Sequence, residues 1–520
     1  MTRMTAANHA IVTAGEMQII ESRLFDAGMP IAALMEKVGL LLTQKISAKY
    51  PLAKYPRISV LVGPGHNGGD AWVVARELWQ QGYEVKVLQP LEKAKSLTQS
   101  HGAYGRSIGI PVMTSIDEWL DADLIIDGLF GFGLTRQIQG LLAQVIEQIN
   151  LSAIPVVSID IPSGLHTDTG QILGTAIAAS HTFCLGLWKR AFFQEQALNS
   201  IGRAELLPFG IPIADQSAVL GDSPQLQTSS PEALKQCLPF NRPVAVHKYQ
   251  MGAALLIAGS AQYPGAAVIS AKAARASGVG MLYVAVPQSL TSILVAAVPD
   301  AVIVSCPENE QGAIASLPET FDLNRIDAIA IGPGLSLKAQ SVVQQMLSQQ
   351  IPLILDADAL NLLAQLQPLK TLSRRTAATI LTPHWGEYKR LFAPWFSEED
   401  IATGDRLNLF DKLKEQIPAT VALKGAKTLI SAPGREVLVN AESTSALARG
   451  GSGDVLTGLL LGLLAQNVQG DSTDVTAAAV WWHAQSALMA EQNVTAAGVS
   501  PTVLIDHLIP FLVNYGEKKE

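Results

Sequence analysis

Cysteine is scarce in this chain: Cys184, Cys237 and Cys306 are the only three in 520 residues. Odd in number and far apart, they form neither a zinc pattern nor a disulfide framework, and a cytoplasmic home is expected. Long apolar runs are also missing. The longest, Val455 to Ala465, is too short to span a membrane and is broken by Thr457, Gly458 and Gly462, so no membrane association is expected. No basic segment followed by an apolar one opens the chain, so no secretory signal is expected. Charge is sparse, at 16%, and 37 basic residues against 45 acidic ones leave a net charge of −8. That balance argues against nucleic acid as a partner. No Walker sequence occurs, because nothing matches its glycine-to-lysine spacing. What remains is rich in small and apolar residues, 48% hydrophobic with 42 glycines, and long enough for two or more domains.

Both halves read as α/β units. In the first, Arg57 to Val62 is a buried strand, a glycine loop follows, a helix is expected from about Asp70 to Gln81, and Tyr83 to Leu88 is the next strand. This is a βαβ unit. Further strands are expected at Asp123 to Asp127 and Pro155 to Asp160. Residues from about Ile213 to Pro243 are polar turn formers and mark the linker, which divides the chain into residues 1–221 and 222–520. A second series follows, with strands at Gly252 to Ile257, Leu282 to Val286, Asp327 to Ile331 and Pro352 to Leu355. The halves share a layer architecture but not their loop motifs, and no internal repeat is evident.

Ligands of doubly wound sheets bind at the carboxyl ends of the strands. Three such ends in the first half carry glycines with acids or amides: Gly63-Pro64-Gly65-His66-Asn67-Gly68-Gly69-Asp70, Asp127-Gly128-Leu129-Phe130-Gly131-Phe132-Gly133-Leu134-Thr135-Arg136, and Asp160-Ile161-Pro162-Ser163-Gly164. Glycines let a pyrophosphate approach the backbone. Asp70 stands where the dehydrogenase fingerprint has its third glycine, so this is not that fingerprint. Asn67, Asp127 and Ser163 offer oxygen ligands suited to a hard cation, although turn capping is the commoner role of each alone. Asp160 closes an apolar strand, a setting for an acid–base group.

In the second half, Gly450-Gly451-Ser452-Gly453-Asp454 runs directly into an apolar stretch. Free amides at a helix start bind anions, and Asp454 would stand beside a phosphate to take a proton from an attacking hydroxyl. The alternative is a plain turn with Asp454 as N-cap. Other strand ends carry Tyr263-Pro264-Gly265-Ala266, Gly332-Pro333-Gly334, Asp356-Ala357-Asp358, Thr382-Pro383-His384 and Lys424-Gly425-Ala426-Lys427-Thr428.

The three loops of the first half, with Ala14-Gly15-Glu16-Met17 and Leu34-Met35-Glu36-Lys37-Val38-Gly39 before them, resemble the NAD(P)H-hydrate epimerase domain with its Rossmann-like sheet. The resemblance implies interconversion of the R and S hydrates of NADH and NADPH. It places the hydrate on His66, Asn67, Gly68, Gly69, Asp70, Gly131, Phe132, Gly133, Leu134, Thr135, Arg136 and Gln137, with Asp160 at the reacting ring. Potassium would sit on Asn67, Asp127 and Ser163. The chain departs from the family's common loop at His66 and Ala71, where Asn and Gly are usual. The second half, from about Pro231 onward, resembles the ADP- or ATP-dependent NAD(P)H-hydrate dehydratase domain of the ribokinase-like fold. This implies nucleotide on Lys424, Gly425, Ala426, Lys427, Thr428 and Gly453, with magnesium. It also implies hydrate facing Ala266, Gly334, His384 and Asp454. The pairing resembles the bifunctional nicotinamide nucleotide repair enzymes of bacteria, and a homo-oligomer is expected. The rival reading is a ribokinase-type small-molecule kinase fused to a non-catalytic binding module.

Overall fold

A computed structural model of the chain describes residues 9–113, 116–240, 242 and 244–517. The outermost residues of the two expected domains, 1–8 and 518–520, lie outside these, as do Asn241 and Pro243 of the expected linker. The chain divides into two compact units, residues 1–226 with 403–407, and residues 227–402 with 408–520.

The first unit is built on strands β1 (Ile11–Val12), β2 (Arg57–Val62), β3 (Glu84–Leu88), β4 (Val112–Met113), β5 (Leu124–Gly128), β6 (Val156–Ile159), β7 (His181–Leu185), β8 (Trp188–Lys189) and β9 (Arg203–Leu207). Seven of them form a parallel sheet in the order β4-β3-β2-β5-β6-β7-β9. Its central strands β2, β5 and β6 are buried on both faces, hence their nearly continuous apolar sequences. Ile58, Val60, Val62 and Ile126 enter one core, while Leu61, Ile125 and Val156 enter the other. The order reverses between β2 and β5, the switch point of a Rossmann-like doubly wound sheet. There the loops touch: a Cβ on Gly63 would lie 1.6 Å from the Leu129 carbonyl oxygen, so only glycine fits. The helix after β2 starts earlier than its sequence suggests, at His66 rather than Asp70, and runs to Gln80. Gly68 and Gly69 are poor helix formers, but a Cβ on either would strike the Gly63 carbonyl or the Met35 side chain. Close packing overrides propensity there.

The second unit has β10 (Leu226–Thr228), β11 (Ala253–Ile257), β12 (Met281–Pro287), β13 (Val302–Cys306), β14 (Ala328–Ile331), β15 (Leu353–Leu355), β16 (Thr379–Leu381), β17 (Thr420–Leu423), β18 (Thr428–Ser431) and β19 (Val437–Asn440). They form one sheet, ordered β10-β19-β18-β17-β16-β15-β14-β11-β12-β13. The run from β13 through β12 and β11 to β14 and on to β17 is parallel, and β17-β18-β19 is antiparallel. This is the α/β class expected, in its ribokinase-like form. The apolar stretch Val455 to Ala465 lies within the helix Ser452–Gln466, buried almost throughout. Among the described residues no helix is long and apolar enough to cross a membrane.

The polar segment after Ile213 is more ordered than its composition suggests. It contains the helix Ile213–Leu220, strand β10 and the short helix Pro231–Leu234. Val219 and Leu220 pack on the first unit's core, and Leu234 is buried in the second's. These few apolar residues outweigh the turn formers around them.

Candidate functional site

Two constellations stand at carboxyl ends of strands, one in each unit. In the first, a cavity of about 660 Å³ opens over β2, β5 and β6. It is lined by Pro64 to Asn67 and Asp70, by Leu129 to Arg136, by Asp160 and Lys189, and by the helix Ala14–Asp26 through Gln18, Glu21, Ser22 and Phe25. The structure thus brings His66, Asn67, Asp70, Gly131, Phe132, Gly133, Leu134, Thr135, Arg136 and Asp160 to one cavity. Gly68, Gly69 and Gln137 are not among its lining residues.

Asp160 has φ 68°, a left-handed conformation unusual for a residue with a side chain. Its carboxylate is 3% exposed and met by three donors. Lys189 Nζ lies 2.6 Å and the Leu185 amide 3.3 Å from Oδ1, and the Phe132 amide lies 3.0 Å from Oδ2. Burial works against the Lys189 ammonium, but Asp160 holds its pKa above that of an ordinary lysine. Two further carboxylates line the cavity, and neither has a hydrogen bond or ion pair among the described residues. Burial raises Glu21 to about 7, against the opposing charge of Lys189. Burial, then the charges of Asp160 and Glu21, push Asp70 well above the usual carboxylate range. Burial, then the charge of nearby Lys95, lowers the His66 pKa and so disfavours the imidazolium form. Glu21 and Lys189 were not foreseen from sequence: Glu21 sits in an amphipathic helix and Lys189 in a two-residue strand, neither within the glycine loops that mark the site.

The expected cation ligands come together beside this cavity. Asp127 is fully buried; Ser163 Oγ donates to its Oδ1 at 2.6 Å, and Ser158 Oγ to its Oδ2 at 2.9 Å. Ser163 Oγ also accepts from the Phe130 amide at 2.9 Å. Asn67 lines the cavity with its side chain against Gly131, and its buried Nδ2 has no partner among the described residues. The side-chain oxygens of Asn67, Asp127 and Ser163 are of the hard type that suits potassium, whereas the orphaned Asn67 Nδ2 is an N–H donor and calls for an acceptor.

The second constellation centres on Asp356, 1% exposed, at the end of β15. Lys424 Nζ donates to its Oδ1 at 2.8 Å and Thr457 Oγ1 to its Oδ2 at 2.6 Å. A Cβ on Gly453 would lie 3.4 Å from Lys424 Nζ. Gly451, with φ 90°, is the N-cap of the helix Ser452–Gln466, so Asp454 stands in the first turn and is not the cap. Its carboxylate has no hydrogen bond among the described residues, and burial, then repulsion from Asp356, raises its pKa to about 6. Burial opposes charge on Lys424, but Asp356, Glu387 and Asp454 together keep its pKa raised.

His384 caps the helix Trp385–Leu391: its Nδ1 accepts from the Gly386 amide at 3.0 Å, and Glu387 Oε2 accepts from the His384 amide at 2.9 Å. Its backbone bridges to Lys424, which places His384 beside the lysine. Gly334, with φ 61°, packs against Tyr263 and Ala266, since a Cβ there would lie 2.8 Å from the Ala266 Cβ. Lys427 donates to the Ala441 carbonyl, and Thr428 Oγ1 to the Gly425 carbonyl at 3.3 Å, both within the β17–β19 region. Asp356, Glu387 and Thr457 join the sequence-derived set. Of these only Asp356 carried a signal, an acid directly after an apolar strand.

Two family models match the chain in succession. That of the YjeF-related protein N-terminus covers residues 31–191, and that of NAD(P)H-hydrate dehydratase covers residues 254–510. The bifunctional NAD(P)H-hydrate repair enzyme of Thermosynechococcus vestitus is 51% identical over 97% of both chains. Its counterpart from Synechocystis is 52% identical over 96% of this chain and 94% of that protein. A crystal structure of the ADP/ATP-dependent NAD(P)H-hydrate dehydratase of Bacillus subtilis, co-crystallized with ATP and Mg2+, is 30% identical with a TM-score of 0.46, covering 55% of this chain and 98% of that one. Matched in order by both domain models, and by relatives along nearly its whole length, the chain belongs to the family of bifunctional NAD(P)H-hydrate repair enzymes.

Proposed function

We propose that the first unit interconverts the R and S hydrates of NADH and NADPH in the cavity beside Asp160. The second unit dehydrates the S hydrate at the expense of ADP or ATP, with Asp454 as general base. The observation that carries this reading is the placement of two separate carboxylate centres, one over each parallel sheet, each beside a glycine-lined helix start.

The hydrate bears a hydroxyl on C6, next to the ring nitrogen. The nitrogen's lone pair can expel that hydroxyl, leaving a C=N bond with positive charge, and water can return from the other face. Asp160, anchored through Lys189 and two backbone amides, supplies fixed negative charge at the ring. Asn67, Asp127 and Ser163 would hold potassium, whose charge favours the anionic substrate. His66 to Asp70 and Gly131 to Gln137 hold the dinucleotide.

In the second unit hydroxide is a poor leaving group. Phosphoryl transfer from the nucleotide onto the hydroxyl makes it a good one, and loss of phosphate with the C5 proton restores the reduced dinucleotide. Asp454 accepts the hydroxyl proton. Lys424 and the Gly453 amide face the charge on the transferring group. Gly425, Ala426, Lys427 and Thr428 hold the nucleotide, while Ala266, Gly334 and His384 face the hydrate. Among the described residues no cluster of three or more His, Cys, Asp or Glu is placed to hold a metal, which suits magnesium arriving on the nucleotide phosphates. A cytoplasmic homo-oligomer completes the reading, with sedimentation as its check.

Pure R and S hydrates, supplied with ADP or ATP, test the scheme through recovery of reduced-nicotinamide absorbance. Inorganic phosphate should appear in step with the absorbance. A stable phosphorylated product instead would mark a small-molecule kinase.

A further inference from the structure

The helix Ala14–Asp26 carries two stripes. Met17, Ile20 and Leu24 enter the core. Gln18, Glu21, Ser22 and Phe25, at i, i+3, i+4 and i+7, line the cavity. Glu21 follows Met17 by one helical turn, half-buried, and has no hydrogen bond or ion pair among the described residues. A carboxylate in such a place is costly unless it is used. The helix is fixed in position at its start. Strand β1 pairs in parallel with β8 in the register Val12↔Lys189, Thr13 forms a capping box with Glu16, and Asp168 Oδ1 accepts from the Ala14 amide at 2.8 Å. The same strand pair therefore positions Glu21 and the lysine that holds Asp160.

The contrast with Asp160 is one of free valence. Both oxygens of Asp160 are engaged by donors, whereas those of Glu21 are not. Asp160, Glu21 and Asp70 share one cavity, and carboxyls held there in different environments divide acid–base roles.

We infer that Glu21 is a further catalytic residue of the first site, the group that carries the proton to and from the C6 hydroxyl, while Asp160 remains the fixed anion. The inference rests on the proposed epimerisation. The Glu21 carboxylic acid gives its proton to the departing hydroxyl. The C6–O bond breaks with its electron pair going to oxygen, which leaves as water, and the ring nitrogen's lone pair closes the C=N bond. Water then adds to C6 from the other face, the C=N pair returns to nitrogen, and the Glu21 carboxylate takes the proton released. Atoms, charge and the carboxyl are restored. A titration near neutrality, as burial gives Glu21, matches a group that must both donate and accept.

The test uses the full chain with Glu21→Gln and Glu21→Leu. Leucine suits a partly buried helical position, so the second variant should melt no lower than the unaltered protein. Both variants should slow R-to-S interconversion, followed by NMR of the hydrates, on the order of 10²-fold or more. ADP-driven dehydration of pure S hydrate should stay unchanged. Interconversion by Glu21→Leu within threefold of the unaltered rate would overturn the inference. So would early melting of Glu21→Leu, which would make the carboxylate structural. An unaltered chain that leaves the hydrates unconverted would instead overturn the proposed function, and with it the substrate assigned here.

Discussion

Lys189 Nζ lies 2.6 Å from Asp160 Oδ1, and the pair is sealed from solvent, with Lys189 at 0% exposure and Asp160 at 3%. Removing one member leaves the other charged and uncompensated in the interior. Lys189→Met should therefore destabilise the first unit by about 3–5 kcal/mol. Adding Asp160→Asn to it should recover part of that loss, because no buried charge is then left alone. Calorimetric melting of the two variants checks this. A double variant no more stable than Lys189→Met would show that the pair does not act as a unit.

Asp160→Asn alone should stop hydrate interconversion while leaving dehydration of the S hydrate intact, since the second constellation lies in the other unit. The expected loss is about 10²–10³-fold, as for removal of a fixed electrostatic group. NMR of an equilibrating mixture of hydrates reads it directly, and exchange at the normal rate would remove Asp160 from the site.

Asp454→Asn should abolish nucleotide-dependent dehydration, by roughly 10²-fold or more in turnover, with nucleotide affinity by calorimetry little changed. In the unaltered protein a base with a pKa of about 6 is ionised above that pH, so dehydration should fall as pH drops through 6. The sign for stability is opposite. An acid raised on folding binds more protons folded than unfolded between its ordinary pKa and about 6. Its contribution to stability is therefore full at low pH and is lost as pH rises through that window. Asp454→Asn should flatten this dependence. A variant that no longer binds nucleotide would recast Asp454 as a phosphate or magnesium residue.

Arg375, 8% exposed, anchors the end of the helix Gln340–Ser348. Its guanidinium donates to the carbonyls of Leu347 at 3.1 Å, Ile351 at 2.7 Å and Gln349, and to Thr379 Oγ1 at 2.7 Å. Burial lowers its pKa to about 10. A lysine cannot supply this planar fork of donors. Arg375→Lys should cost about 1–3 kcal/mol through unsatisfied carbonyls, with both activities retained at low temperature. Thermal melting of the second unit measures it; an unchanged transition would show that water replaces the fork.

Residues 1–221 and 222–520, expressed apart, should each fold and retain one activity. The cut falls at the end of the helix Ile213–Leu220 and leaves β10 with the sheet it joins. Solubility and separate assays decide, and two insoluble halves would place the boundary elsewhere.

The loops were legible because they combine two signals, an apolar strand and then glycines with an acid or amide. That pattern marked Asn67, Asp127 and Asp160 without structural help, and a glycine loop running into an apolar stretch marked Asp454. Glu21 was not legible: within Met17-Gln18-Ile19-Ile20-Glu21-Ser22 nothing separates an acid facing a cavity from one facing solvent, since this depends on how the helix rolls against its neighbours. Lys189, in a two-residue strand, gave no periodic signal at all. The strands read from the sequence were placed to within a residue or two, but β4, β7, β9 and β13 were not read, nor was the helix start at His66. There the close approach of Gly63, Gly68 and Leu129 decides, and that contact is non-local. The antiparallel β17–β19 edge was likewise hidden, because its short strands are apolar on both faces.

The pairing of Val12 with Lys189 has a consequence for synthesis. Strand β1 and the helix bearing Glu21 are made well before β8, the strand that pairs with β1. At about 5–20 residues per second, that wait is roughly 10–40 s. During it strand β1, directly before that helix, has no partner strand. The cavity is thus closed by residues far apart along the chain, and it is incomplete until Lys189 and Phe209 have both been made.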